Sequence, residues 1–198
     1  MGAGGFMVGF IIASFNISRT FFSPMVGRYS DRFGRKRFIV VGLILYALIS
    51  FAYLIPSSAG GLVLVRLAHG FASLLVVPIA LALAGDIAPR QKLGAYMGTL
   101  NMAVMIGLGF GPSLGGIIQD HFGMHAAFYS MAALALFTCC LVAIYLPSDR
   151  DSGAVARKTG TASLREILGN STAFAIVLMR FFAASGQGAV YTFLPIYA

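Results

Sequence analysis

Long, unalternating apolar runs leave this chain few folds to choose from. Residues 5–30, 37–54, 61–84, 93–118, 126–146 and 172–197 are predominantly apolar, and each run is near the roughly 20 residues that a helix needs to cross a hydrocarbon core about 30 Å thick. Strands of a membrane barrel would alternate polar and apolar side chains with period two, and these runs do not. Hydrophobic residues make up 59% of the 198 and charged residues 10%, with a mean hydropathy of +0.87. A soluble fold of this length cannot hide that much apolar surface, so lipid is its natural solvent. The expected fold class is an all-α membrane protein, a polytopic helical bundle with about six transmembrane helices.

The charge pattern and the polar residues exclude several functions. Fourteen Lys and Arg against six Asp and Glu give a net charge of +8. A nucleic-acid binder would carry those charges on one hydrated face, whereas here most of them punctuate apolar segments, so no nucleic-acid partner is expected. The two cysteines, Cys139 and Cys140, are adjacent within an apolar run, which suits helix packing and not a disulfide framework. Met1 to Gly5 has no basic residue ahead of the first apolar run, so no cleavable targeting segment is expected. Phe6 stands where a myristoylation signal wants Ser or Thr. With no nucleophile triad, metal cluster or phosphate-binding loop, the chain reads as a non-enzyme that needs no metal or cofactor.

Turn signals and basic residues set the expected topology. Pro56 to Gly60 and His121-Phe122-Gly123 punctuate the runs, and residues 147–170 are polar enough for a solvent loop. In that loop Ser163-Leu164-Arg165-Glu166 fits either a capping box opening a short helix or a plain linker. Lys and Arg collect in cytoplasmic loops. Arg28, Arg32, Arg35, Lys36 and Arg37 fall in the first loop, Arg90 and Lys92 in the third, and Arg150, Arg157, Lys158 and Arg165 in the fifth. The second and fourth loops carry none, so the basic loops are expected in the cytoplasm, with Met1 outside.

Three motifs lie within this frame. In Gly27-x-x-x-Asp31-Arg32-x-Gly34-Arg35-Lys36-Arg37, Gly34 permits a tight reversal, Asp31 can pair with arginines, and the basic groups suit a helix carbonyl end and the inner interface. Leu62-x-x-x-Arg66-x-x-His69-Gly70 places an arginine inside a membrane run, where it must be paired, hydrated or able to snorkel to the outer headgroups. His69 reads first as a packing histidine. Gly107-x-x-x-Gly111-Pro112-x-x-Gly115-Gly116 forms a smooth stripe that would let a neighbouring helix approach, with Pro112 bending the element. Gly94 and Gly98 extend that surface.

Taken in this order, the motifs resemble those of the major facilitator superfamily, where they fall after the second helix, on the fourth and on the fifth. Tyr29 replaces the usual leucine of the first motif, and His69 the more usual glutamine of the second. The resemblance implies a partial major-facilitator fold. Residues 1–146 would be an amino-terminal bundle lacking its first helix, 147–170 a cytoplasmic linker, and 171–198 the first helix of the carboxy-terminal bundle. It implies a cytoplasmic gate at Gly27, Asp31, Arg32, Gly34, Arg35, Lys36 and Arg37, proton coupling at Arg66, His69 and Gly70, and a helix bend at Gly107, Gly111, Pro112, Gly115 and Gly116. The glycine-proline motif resembles the antiporter branch most.

The expected function is therefore secondary active transport in the plasma membrane, as in a bacterial inner membrane. It would be proton-coupled export of a small organic molecule by alternating access, with protons, membrane lipid, substrate and the missing helices as partners. An uptake symporter or facilitator fits the same resemblance, and the glycine stripes alone would also fit a membrane interaction protein. Asn16, Arg19, Asn101, Arg180 and Gln187 lie deep in apolar runs and are candidates for a cavity or substrate site. All six acids map to loops or helix ends, so Arg19 and Arg180 would meet either an anionic substrate group or an acid from helices outside this chain.

Overall fold

The computed structural model describes residues 5–146 together with Met179. Six α-helices occupy that range: α1 (Gly5–Phe33), α2 (Arg35–Ala52), α3 (Ala59–Leu74), α4 (Val77–Ile87), α5 (Leu93–Phe122) and α6 (Met124–Tyr145). A short 3-10 turn at Arg90–Lys92 leads into α5. The chain divides into two compact units, residues 1–154 and 155–198. The expected linker and the sixth span, with Arg180 and Gln187, lie outside the described residues apart from Met179, which is helical and exposed.

Helices occupy five of the expected ranges, and their boundaries have local causes. Gly34 alone separates α1 from α2, and its φ of 100° lies in the left-handed region where a side chain is strained. Its amide donates to the Ser30 carbonyl at 3.1 Å, closing the end of α1. Ser58 caps α3, its hydroxyl accepting from the Gly61 amide at 3.2 Å. Gly123, at φ 85°, turns the chain from α5 into α6.

The third expected span, residues 61–84, is where the reading needs correction, because it is two helices and not one. α3 stops at Leu74 and α4 begins at Val77. Pro78 has no amide to offer the Leu74 carbonyl, and its ring would collide with that carbonyl in a continuous helix. The intervening turn tightens instead, with the Leu75 and Val76 amides donating to Ala72 and Ser73, three residues back.

Packing differs from that of a water-soluble fold chiefly in what faces outward. Phe6, Ile144 and Tyr145 are 86%, 73% and 78% exposed, whereas Ser14, Ser18, Ser30, Ser50 and Ser73 are buried. Ser14, Ser30 and Ser50 satisfy their hydroxyls on backbone carbonyls three or four residues back, at 2.7–2.8 Å. Large apolar groups facing outward and small groups between helices is what a lipid solvent selects. Four stretches, 6–33, 59–87, 90–122 and 124–145, are long and apolar enough to cross a membrane. α2 has 18 residues and opens on Arg35-Lys36-Arg37, so its length of about 27 Å includes a charged first turn.

α1 packs chiefly against α3, and α2 against α6. Where α1 crosses α3 the backbones nearly touch: a Cβ on Gly70 would lie 2.3 Å from the Phe15 carbonyl oxygen. A similar contact pins α2 to the α3–α4 break, where a Cβ on Gly42 would lie 2.7 Å from Leu75 and Val76 side-chain atoms. Val26, Ile39, Leu43, Leu74, Leu75 and Ile79 form the apolar core around that break.

Candidate functional site

The first motif is a junction between helix ends. Asp31 in the last turn of α1 and Arg35 in the first turn of α2 stand four residues apart, and Arg35 Nη2 meets Asp31 Oδ1 at 2.9 Å. The other guanidinium nitrogen, Nη1, lies 2.8 Å from Asp86 Oδ2 at the end of α4. One guanidinium thus joins three helices, and its side chain is 17% exposed against 55% for Asp31 and 34% for Asp86. Lys36 Nζ donates to the Ala143 and Leu146 carbonyls, where the carbonyl end of α6 carries partial negative charge. Arg32 lies over the Phe33 ring at 5.6 Å, while Gly27 and Arg37 are exposed.

These contacts gather the α1–α2 turn, the end of α4 with its Arg90–Lys92 turn, and the end of α6 at one end of the bundle. The spacing of Asp31 and Arg35 announces their pair. The partners of Arg35 on α4 and of Lys36 on α6 are tertiary and carry no local signal.

The second motif sits in an aromatic cage built by α1, α2 and α3. The Tyr53 hydroxyl and His69 Nδ1 are 2.9 Å apart. Around the imidazole, the rings of Phe15, Tyr46 and Tyr53 stand edge-on at 5.3, 4.5 and 5.7 Å. The Arg66 guanidinium lies 5.7 Å from the Tyr53 ring centroid, and that of Arg19 lies 5.6 Å from that of Phe15. Gly70, next in the motif, is the point where α1 crosses.

His69 is therefore packed, as its residue context suggests, and Arg19 and Arg66 each lie over a ring that packs against it. Phe15, Tyr46 and Tyr53 are absent from the sequence-derived candidates. The two tyrosines, Tyr46 on α2 and Tyr53 as the residue that caps its end, stand seven residues and about two turns apart, and that spacing on one side of the helix is the signal that could have found them.

The third motif behaves differently. Among the described residues nothing lies within 4 Å of a Cβ built on Gly94, Gly98, Gly107, Gly111, Gly115 or Gly116, and α5 has no buried residue. The close helix approach expected of this stripe is thus not made by the described residues. Gly111, Pro112, Gly115 and Gly116 instead line a cavity of about 770 Å³ shared with Tyr46 of α2 and Phe128 of α6. α5 runs unbroken through Pro112. Asn101 is exposed, with its amide turned back to the Met97 carbonyl at 3.0 Å, and Asn16 is exposed on α1.

Among the described residues no three potential metal ligands cluster. Apolar spans turned outward, small residues between them and half-buried basic groups held by aromatic rings define a multi-pass helical membrane protein. The sequence matches the Major Facilitator Superfamily over residues 1–198, and the chain belongs to that family. It is 32% identical to an MFS-type transporter of Methanocaldococcus jannaschii over all of this chain and 52% of that protein. It is 31% identical to multidrug resistance protein 2 of Bacillus subtilis, over 69% of this chain and 34% of that one. Quinolone resistance protein NorA of Staphylococcus aureus is 28% identical over 74% of this chain and 38% of its own length. The fold resembles the inward-open xylose transporter XylE of E. coli, with a TM-score of 0.56 and 19% identity, over 92% of this chain and 47% of that one. The chain thus spans about half the length of these full-length relatives.

Proposed function

We propose that this chain is part of a secondary active transporter of the plasma membrane that exports a small organic molecule in exchange for protons by alternating access. The observation that carries this reading is the Asp31–Arg35–Asp86 junction, which ties three helices at one end of the bundle through contacts that can break and re-form. Charge pairs at a helix end that keep one partner in solvent, as Asp31 does, are worth little in isolation, so such a junction suits a gate more than a permanent staple. The relatives named for multidrug and quinolone resistance support export, and the basic loops that share this end support its cytoplasmic placement. In this reading Arg66 and His69 serve proton coupling, and the glycine-proline stretch of α5 serves the rocking of one bundle on another.

The test is flux in proteoliposomes that hold the protein at its full natural length. Dissipating an imposed pH gradient should abolish concentrative transport of a quinolone, while transport indifferent to the gradient would make the protein a facilitator. Asp31→Asn should lower flux at least about tenfold, or about 1.4 kcal/mol, with membrane insertion unchanged. Wild-type flux in that variant removes the gate.

A further inference from the structure

The aromatic cage carries two cations and, among the described residues, no acid. Arg19 and Arg66 each rest on a ring that in turn packs against His69, and the described ion pairs involve neither arginine. The described acids, Asp31, Asp86 and Asp120, stand in the last turns of α1, α4 and α5. The imidazole adds a third donor. When the Tyr53 hydroxyl donates to Nδ1, a neutral His69 carries its proton on Nε2, a buried atom with no hydrogen-bond partner among the described residues. Among the described residues the buried Nε2 meets no acceptor and neither half-buried arginine, within its membrane helix, meets an acid, an environment that an anion relieves.

Resting on the transporter reading, we infer that Arg19, Arg66 and His69 form an anion site, and that the substrate class is a small organic acid with a flat apolar body. A carboxylate can accept from a guanidinium through two parallel hydrogen bonds and keeps further lone pairs for an imidazole N–H. Phe15, Tyr46 and Tyr53 supply the ring surface that a planar body stacks against. Both arginines are half-buried, so they can exchange a ring face for a ligand without leaving the cage. The notable departure is His69, since a glutamine there would still offer a donor but no flat ring.

Equilibrium dialysis against the purified protein at its full natural length, without any gradient, tests the site with 1-naphthoate as probe and 1-naphthamide as its neutral isostere. Naphthoate should bind at least about tenfold more tightly than the amide, the scale of one charge-assisted contact. Arg19→Gln and Arg66→Gln should each reduce that preference, with Arg19→Lys and Arg66→Lys retaining part of it. Equal binding of the two probes in the wild type, which needs no variant to fold, overturns the anion site. So does a preference that survives both Gln changes, as expected if an acid elsewhere in the protein already neutralises the arginines. Anion preference without gradient-dependent flux would sink the proton-exchange reading and leave the site standing; gradient-dependent flux without the preference does the reverse.

Discussion

At the scale of single residues, glycine has two separate uses here, and they predict different outcomes. Gly70 is a contact residue: its missing Cβ is what lets the Phe15 carbonyl approach, at 2.3 Å from where that carbon would sit. Gly70→Ala must push α1 and α3 apart and should destabilise the protein by about 1–3 kcal/mol, the range for overpacking. Thermal unfolding in detergent measures it, with Gly60→Ala as the comparison, since a Cβ there meets nothing within 4 Å and should change stability by less than about 0.5 kcal/mol. If the two variants melt alike, the α1–α3 crossing is wrong. Gly34 is a conformational residue, and Gly34→Ala should cost about 1 kcal/mol through its positive φ, read in the same assay. The sequence points to Gly34 as a turn because it sits between charged residues. It points to Gly70 only through a motif, because a helix crossing leaves no local mark.

At the scale of elements, the helices were legible and their ties were not. Hydropathy locates α1, α2, α5 and α6 to within a few residues, since a lipid core imposes length directly. The α3–α4 break follows from Pro78, but an apolar run masks it: hydropathy is blind to a missing amide. The clamp of Lys36 on α6 was legible in chemistry and not in partner. Its ammonium suits a carbonyl end, yet nothing near residue 36 says that the end belongs to residues 143–146. Lys36→Met should speed hydrogen exchange of the last turn of α6 about fivefold, equivalent to about 1 kcal/mol, with Lys36→Arg restoring part of the protection. Unchanged exchange there would show that the carbonyls do not depend on the ammonium.

At the scale of the whole molecule, one end of the bundle is held by charge and the interior by small residues and rings. The pair between Arg35 and Asp86 joins distant elements, whereas Arg35 and Asp31 are helix-end neighbours and Asp31 is half in solvent. A double-mutant cycle on unfolding in lipid nanodiscs should therefore give a coupling of about 1 kcal/mol for Arg35→Gln with Asp86→Asn, and less than about 0.5 kcal/mol with Asp31→Asn. The reverse order would place the structural tie on α1 instead of α4.

The one-residue link at Gly34 has a consequence for how such a chain is made. With no loop to leave behind, α1 and α2 must enter the bilayer as one hairpin. Yet α1 packs chiefly on α3 and not on α2, so Phe15 and Ser18 lack their neighbour at Gly70 until residues near 70 have left the ribosome. Synthesis thus passes through an interval in which α1 is inserted but not seated on α3, and closes only when the helix carrying Gly70 arrives.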